Sequence, residues 1–236
     1  MKAAVFGANG GIGNALVKIL LASKVYETVF AVSRTGDGPK GSHPLIATTY
    51  DDETLGEIGV EIAKAGDLNL CICAIGILSD GNELQPERTY RQQKRQGFER
   101  IFETNVIVPA LIAKHMLPLM PKNERALFAA LSARVGSISD NRLGGWHAYR
   151  SSKAALNMLI KNYAIEMARR NPHFVAVGLH PGTVDTHLSE PFQGNIPAKQ
   201  LFTPDQSAKY LLEVIDGLGP ESSGKVFDWA GKEILA

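Results

Sequence analysis

Tyr149 and Lys153 stand four residues apart in a segment of strong helical periodicity. Four steps of about 100° put both side chains on one helix face, one turn apart. A phenol with a pKa near ~10 is a weak acid–base catalyst at neutral pH. A neighbouring ammonium group, or a bound cationic ring, would favour the phenolate and lower that pKa. A second chemical feature lies near the start of the chain, where Gly7-Ala8-Asn9-Gly10-Gly11-Ile12-Gly13 separates an apolar run at 2–6 from a helical pattern. Glycine suits places where a side chain would block a tight turn, an approaching phosphate or helix–sheet packing. The helix that follows offers unpaired N–H groups and a positive dipole end to a pyrophosphate. The spacing, Gly7-x3-Gly11-x-Gly13, differs from the usual G-x-G-x-x-G, and no Gly-Lys-Ser/Thr follows to make a P-loop.

The apolar run at 28–33 ends in Ser33-Arg34. In a dinucleotide site an acidic residue there binds ribose hydroxyls and repels a 2′-phosphate, whereas arginine suits that phosphate through charge-assisted bonds. Ser33 cannot repel a phosphate and is a potential donor to it. The pair favours NADP over NAD. Asp51 follows the next strand, where it either accepts from an adenine amino group or caps a helix.

These groups need a frame. Ile12, Ala15, Leu16, Ile19 and Leu20 fall at i, i+3, i+4, i+7 and i+8, one face of a helix. Further helices are predicted at 52–64, 98–120, 146–170 and 204–216, and strands at 2–6, 28–33, 44–50, 68–75, 126–132, 173–179 and 225–229. The run at 68–75, LNLCICAI, is apolar throughout, as a strand buried on both faces must be. Strands alternating with helices predict an α/β fold, a doubly wound parallel sheet of about seven strands with helices on both faces. One domain over residues 1–236 is expected, with an irregular, proline-bearing excursion at about 187–203.

The 236 residues carry 25 basic and 24 acidic side chains and are 44% hydrophobic, which excludes a dedicated nucleic-acid binder and a disordered chain. No uncharged apolar run approaches the ~18 residues of a membrane span, and nothing resembles a signal peptide. Cys71 and Cys73 share a face of one apolar run and read as core thiols. A cytoplasmic, reduced protein is expected. No metal is expected, since no His/Cys/Asp cluster has ligand spacing. His147 and His180 read as polar lining. Arg88, Arg91, Lys94, Arg95 and Arg100 read as a solvated helix face, with an anionic-substrate or partner site as the alternative.

The glycine turn, Asn105 within a long helix, Tyr149-x3-Lys153 and Pro181-Gly182-Thr183-Val184-Asp185-Thr186 occur in that order over nearly the whole chain. In this the chain resembles the short-chain dehydrogenase/reductase family in its compact Rossmann-type form. Residues 127–155 and 192–204 resemble its C-factor-like and sniffer-like carbonyl reductase branch. The resemblance implies hydride transfer between NADP(H) and a carbonyl or alcohol, with Tyr149 as acid/base. Lys153 would bind the nicotinamide ribose, and Asn105 would hold a water linking Lys153 to solvent. Pro181, Gly182, Val184 and Thr186 would wrap the carboxamide end. Ala74, Ile75 and Gly76 would line the adenosine side, in a Cys73-Ala74-Ile75-Gly76 stretch where the family has Asn-Asn-Ala-Gly. A homodimer or homotetramer through the helices 98–120 and 146–170 is also implied.

One departure concerns the family's serine, three residues before the glycine that follows the fifth strand. Counting back from Gly136 reaches Ala133. Ser132 is the expected substitute, provided a bulge re-aims it, because neighbouring strand residues face opposite ways. Ser137 and Ser139 are the alternatives. Phe192, Ile196, Leu201 and Phe202 from the excursion, with Trp146, would give the substrate an apolar lining. The competing function is a nucleotide-binding sensor or signalling module with weak chemistry, motivated by Ala133 and the altered 73–76 stretch.

Overall fold

The computed structural model describes residues 1–81, 83–195 and 201–235. The first half runs β1 (Lys2–Phe6), α1 (Gly11–Ser23), β2 (Thr28–Ser33), β3 (His43–Ile46), α2 (Asp52–Ala63), β4 (Leu70–Cys73), α3 (Arg95–Phe102) and α4 (Val108–Met116). The second half runs β5 (Ala126–Leu131), α5 (His147–Ala168), β6 (Phe174–His180), β7 (Thr183–Val184), β8 (Leu201–Phe202), α6 (Pro204–Gly217), β9 (Lys225–Asp228) and β10 (Glu233–Ile234). Eight strands form one sheet in the order β10-β9-β6-β5-β4-β1-β2-β3, and β7 pairs with β8 apart from it. Every pairing in the large sheet is parallel except β9 with β10. From β1 the chain moves outward to β2 and β3, then returns to β4 on the other side of β1. Such a reversal opens a crevice beyond the carboxyl ends of β1 and β4, where ligands of open α/β sheets bind.

The strands lack polar alternation because both faces are covered. On one face Phe6, Phe30, Phe128 and Phe174 pack with Leu55, Ile112 and Ile160 from α2, α4 and α5. On the other, Val5, Ile72 and Val175 pack with Leu16, Leu20, Leu211 and Ile215 from α1 and α6. Each fully buried side chain of this size contributes about 1.5–3 kcal/mol. Cys71 and Cys73 are buried free thiols. No helix among the described residues is long and apolar enough to cross a membrane.

The sheet has one strand more than expected, since β10 is a two-residue antiparallel edge. The strand expected at 44–50 ends at Ile46, and that at 68–75 narrows to Leu70–Cys73. The helix expected at 98–120 begins at Arg95 and contains a π turn, Glu103–Ile107. There the Val108 N–H reaches back five residues to the Glu103 carbonyl. Pro109 has no N–H for the carbonyl of Asn105, four residues earlier. Thr104 and Asn105 thus lose their α-helical donors. The π turn accommodates that loss at a position of chemical interest, as such bulges often do.

Candidate active site

The glycine turn is shaped by close approach. Gly7 has φ +85°, and its N–H and that of Ala8 both donate to the Val32 carbonyl, at 2.9 and 3.1 Å. A Cβ on Gly7 would lie 3.2 Å from the Ala74 carbonyl, and one on Gly11 2.9 Å from Thr186 Cγ2. At Gly13 it would lie 2.1 Å from the Gly7 carbonyl oxygen. Gly10 caps α1 without a side-chain bond, and the first turn of α1 holds no acidic residue. Its N–H groups therefore face outward with no carboxylate competing for them, the arrangement that receives phosphate. Ile12 is half-buried in that turn. Asn9 is exposed and donates its amide to Thr35 Oγ1 at 3.3 Å.

Arg34 follows β2 and is exposed, next to Thr35, which accepts from Asn9 of this turn. Ser33 is fully buried and its hydroxyl donates to the Asp37 carbonyl at 3.0 Å, so its side chain is not available as the phosphate donor expected of it. Asp51 is the N-cap of α2: its carboxylate accepts from the Thr54 N–H at 2.8 Å and the Thr49 hydroxyl at 2.6 Å. Those bonds, Thr49's first, hold its pKa below the usual carboxylate value. The helix-cap alternative accounts for both of its oxygens.

Tyr149 and Lys153 lie in the first two turns of α5, both buried. Lys153 Nζ donates to the Leu131 carbonyl at the end of β5, at 2.8 Å, and sits 5.6 Å from the centre of the Tyr149 ring. Gly136 lets the chain pass this close, since a Cβ there would lie 2.7 Å from Lys153 Cβ. Asn105 is fully buried, accepting from the Ile77 N–H at 2.8 Å and donating to the Ile77 carbonyl at 2.9 Å and Ser152 Oγ at 3.1 Å. A Cβ on Gly76 would be 3.5 Å from both Asn105 Oδ1 and Lys153 Nζ. The structure thus gathers Ala74, Ile75, Gly76, Asn105, Tyr149 and Lys153 at the carboxyl ends of β4 and β5, near the glycine turn.

Burial pushes the Tyr149 phenol up to about 12. Burial likewise pushes the Lys153 ammonium down to about 8, with the Cys73 thiol acting in the opposite sense. The lowering of the phenol expected from its lysine neighbour is therefore outweighed by desolvation, and the side chain rests as a proton donor. The lysine carries a stability consequence with a definite sign. Its folded pKa lies below the unfolded 10.5, so between about pH 8 and 10.5 the unfolded chain binds more protons at this position. Stability from this group therefore rises with pH across that window. Chemical denaturation of wild type and Lys153→Met from pH 7 to 10 should show that rise in their difference; a constant difference would contradict it.

The Ser132 hydroxyl is engaged away from Tyr149. Its Oγ donates to Asn157 Oδ1 on α5 at 2.6 Å, two turns beyond Tyr149. Ala133, the next residue, packs against Tyr149 and Leu78. Ser137 is buried and accepts from the Asp140 N–H at 3.1 Å, with Ser139 Oγ 3.4 Å away. Ser132→Ala should orphan Asn157 and cost about 1–3 kcal/mol of stability. Its kcat should stay well short of the ~10²–10³-fold loss that follows removal of an oxyanion donor. Thermal melts and steady-state rates would check both.

The strand β6 leads into Pro181 and Gly182, the latter at φ +77° with Phe202 and Trp229 closing on its missing Cβ at 2.7 and 3.0 Å. Pro181 accepts from Ser207 Oγ at 2.9 Å, and the buried Val184 accepts from the Thr186 hydroxyl at 3.3 Å and from Ser189. These bonds tie the loop to α6 and to itself, and Thr186 Cγ2 lies against Gly11 of the glycine turn. Phe202, expected to line the substrate, instead packs edge-to-face against Trp229 and Tyr210, with centroids at 4.7 and 5.4 Å. Ile196 and the side chain of Phe192 lie outside the described residues. Trp146 is better placed, 6.2 Å from the Tyr149 ring and bordering with it a cavity of about 1010 Å³. It adopts φ +49°, a costly conformation for a bulky residue, after Gly144 and Gly145, which share it. Burial pushes the His180 imidazole down to about 4. Its Nδ1 and His147 Nε2 have no hydrogen-bond partner among the described residues. No described group of three or more His, Cys, Asp or Glu is placed to hold a metal ion.

Sequence reasoning missed Glu87. It is buried, and its carboxylate accepts from the Ala148 N–H at 3.3 Å, steadying the start of α5. No local pattern reveals a partner 61 residues away.

Residues 1–196 match the short chain dehydrogenase family. The chain belongs to that family of oxidoreductases. It is 40% identical over 135 residues to the C-signal protein of Myxococcus xanthus, spanning 57% of this chain and 76% of that one. It is 28% identical to the NADPH-bound carbonyl reductase from chicken fatty liver, with a TM-score of 0.80 over 100% of this chain and 94% of that one. The carbonyl reductase Sniffer of D. melanogaster shares the fold at a TM-score of 0.84 and 23% identity, covering 100% and 99% of the two chains.

Proposed function

We propose that the protein reduces a small-molecule carbonyl compound to its alcohol with NADPH, Tyr149 serving as the acid. The observation that carries this reading is the buried Tyr149–Lys153 pair, set beside Gly76 and Asn105, with Tyr149 bordering a cavity. The residues present fit the cofactor. The N-terminus of α1, uncapped by any side chain and without an acidic residue in its first turn, would offer its N–H groups, with Gly7, Asn9, Gly10, Gly11, Ile12 and Gly13, to the pyrophosphate. Arg34 would take the 2′-phosphate, Ala74, Ile75 and Gly76 the adenosine side, and Pro181, Gly182, Val184 and Thr186 the carboxamide end. The NADPH in the chicken relative agrees with this assignment. The single eight-stranded sheet supports one NADP-binding domain across the chain, with the described residues 187–195 and 201–203 of the excursion toward the substrate.

When bound, NADPH supplies the hydride that reaches the carbonyl carbon. Tyr149 gives its phenolic proton to the carbonyl oxygen, completing the alcohol. The Lys153 ammonium would hold the nicotinamide ribose and stabilise the phenolate left on Tyr149. Solvent returns the proton by way of Lys153 and Asn105. The side-chain amide of Asn105 is engaged with Ile77 and Ser152, so a relaying water falls to its main-chain carbonyl, which Pro109 leaves without a helical donor. The direct test is loss of NADPH matched one for one by alcohol formed from an activated diketone or quinone.

Arg34→Asp should reverse the preference between NADPH and NADH. Losing a charge-assisted bond costs about 1.5–3 kcal/mol, roughly ten- to a hundredfold in affinity for NADPH. Titration of both cofactors checks it, and an unchanged preference would place Arg34 away from the phosphate.

One observation favours the second reading, a nucleotide-binding sensor with weak chemistry: Ala133, not a hydroxyl, packs on Tyr149. The intact Tyr149–Lys153 pair weighs more heavily, because binding alone does not need it. A homodimer or homotetramer is also proposed. Met158 and Ile165 are exposed two turns apart on α5, with exposed Ile107 in the π turn packed against that helix. Light scattering that finds monomer alone would contradict it.

A further inference from the structure

The cavity beside Tyr149 is chemically two-sided. Leu78, Ile101 and Trp146 give it apolar walls near the phenol, while Arg88, Arg91, Lys94 and Arg100 line the rest. Of these cations, Arg100 is paired with Asp80 at 2.8 Å. Among the described residues no ion pair forms with Arg88, Arg91 or Lys94. Two carboxylates also border the cavity, and that of Glu87 is engaged with the first turn of α5. The start of α3 adds positive potential. Its N-cap is Lys94, without a side-chain cap bond, its first turn has no acidic residue, and Gln96 and Gly97 of that turn line the cavity. The basic stretch is therefore not a plain solvated helix face: part of it borders the chamber that Tyr149 faces.

We infer that the substrate carries a carboxylate at the end remote from its carbonyl, held by Arg88, Arg91 and Lys94 while the carbonyl meets Tyr149. This rests on the reductase reading, which makes Tyr149 the reacting end. Guanidinium groups suit a planar carboxylate through paired bonds, and apolar walls between the two ends suit a hydrocarbon spacer.

The test pairs 4-oxo-4-phenylbutanoate with its methyl ester, which share a carbonyl and differ in charge. The acid should show at least about a tenfold higher kcat/KM, mainly through KM, shrinking as salt shortens the Debye length from ~30 Å at 0.01 M to ~3 Å at 1 M. Arg88→Glu with Lys94→Glu should abolish the preference; Arg88→Gln with Lys94→Gln should weaken it. Both positions are exposed, and circular dichroism would confirm the fold. Calorimetric binding of 4-hydroxy-4-phenylbutanoate gives a readout free of turnover. Equal turnover of acid and ester, unaltered by charge reversal, would overturn the inference and leave the reductase standing. Binding of the hydroxy acid that charge reversal abolishes, with no NADPH oxidation on any carbonyl, would support the anion site and overturn the reductase instead.

Discussion

Tyr149→Phe should cut kcat by about 10²–10⁴-fold, the usual contribution of a positioned general acid, while leaving NADPH affinity close to wild type. The effect isolates the hydroxyl because the ring stays. Tyr149 is 9% exposed and packs through its ring against Ala133, Leu78 and Trp146, all contacts that phenylalanine keeps. Melting temperature should therefore move little. Rates followed by NADPH absorbance, with cofactor binding titrated in the same preparation, separate loss of chemistry from loss of binding. A substituted enzyme that keeps more than about a tenth of wild-type turnover would place the acid elsewhere.

Gly13→Ala should damage fold and cofactor site together. Alanine in a helix is ordinarily favoured over glycine by about 1 kcal/mol, so the default expectation is stabilisation. Here the added Cβ would stand 2.1 Å from the Gly7 carbonyl oxygen and 2.8 Å from its carbon. Both are backbone atoms, so no rotamer change relieves the clash, and α1 must lift from the β1 turn. Overpacking of this kind costs about 1–3 kcal/mol or more. For a chain of this size each kcal/mol lowers the melting temperature by roughly 2–4 °C. NADPH affinity should fall too, because the same displacement moves the N–H groups of the cradle. Gly10→Ala is the control for stability, since its Cβ would meet the Gly7 oxygen at 3.3 Å. Equal melting temperatures for the two variants would contradict the packing argument.

The strand–helix frame was legible because its signals are strong and local. LCIC at 70–73 and ALFAAL at 126–131 are buried throughout, and an uninterrupted apolar run between turn residues has few other uses. The glycine turn and the Tyr149–Lys153 pair were legible for the same reason, since spacing along one element decides them. Features decided across elements were not. Adjacency to Ala133 points to Ser132, yet its hydroxyl is taken by Asn157 across to α5 while Ala133 packs on the tyrosine. Ser33 reads as available on an arginine-bearing turn, yet its hydroxyl donates to the Asp37 carbonyl. Phe202 reads as substrate lining but is captured by Tyr210 and Trp229, the latter from the far end of the chain. The π turn did have a local signal, Pro109 within an otherwise helical pattern, which removes the donor that Asn105 would have met. The cavity's basic wall was visible only as a run of cations; its facing Tyr149 depends on how α3 packs against α5.

NADPH oxidation by the wild-type protein should be followed with an activated diketone, a quinone and an aldehyde, after NADPH binding has been confirmed. Turnover should consume one NADPH per substrate molecule reduced and collapse when Tyr149 loses its hydroxyl. Tight NADPH binding with no oxidation across the whole panel would contradict the reductase reading, and would make Ala133 beside Tyr149 the mark of a binding protein instead of an enzyme.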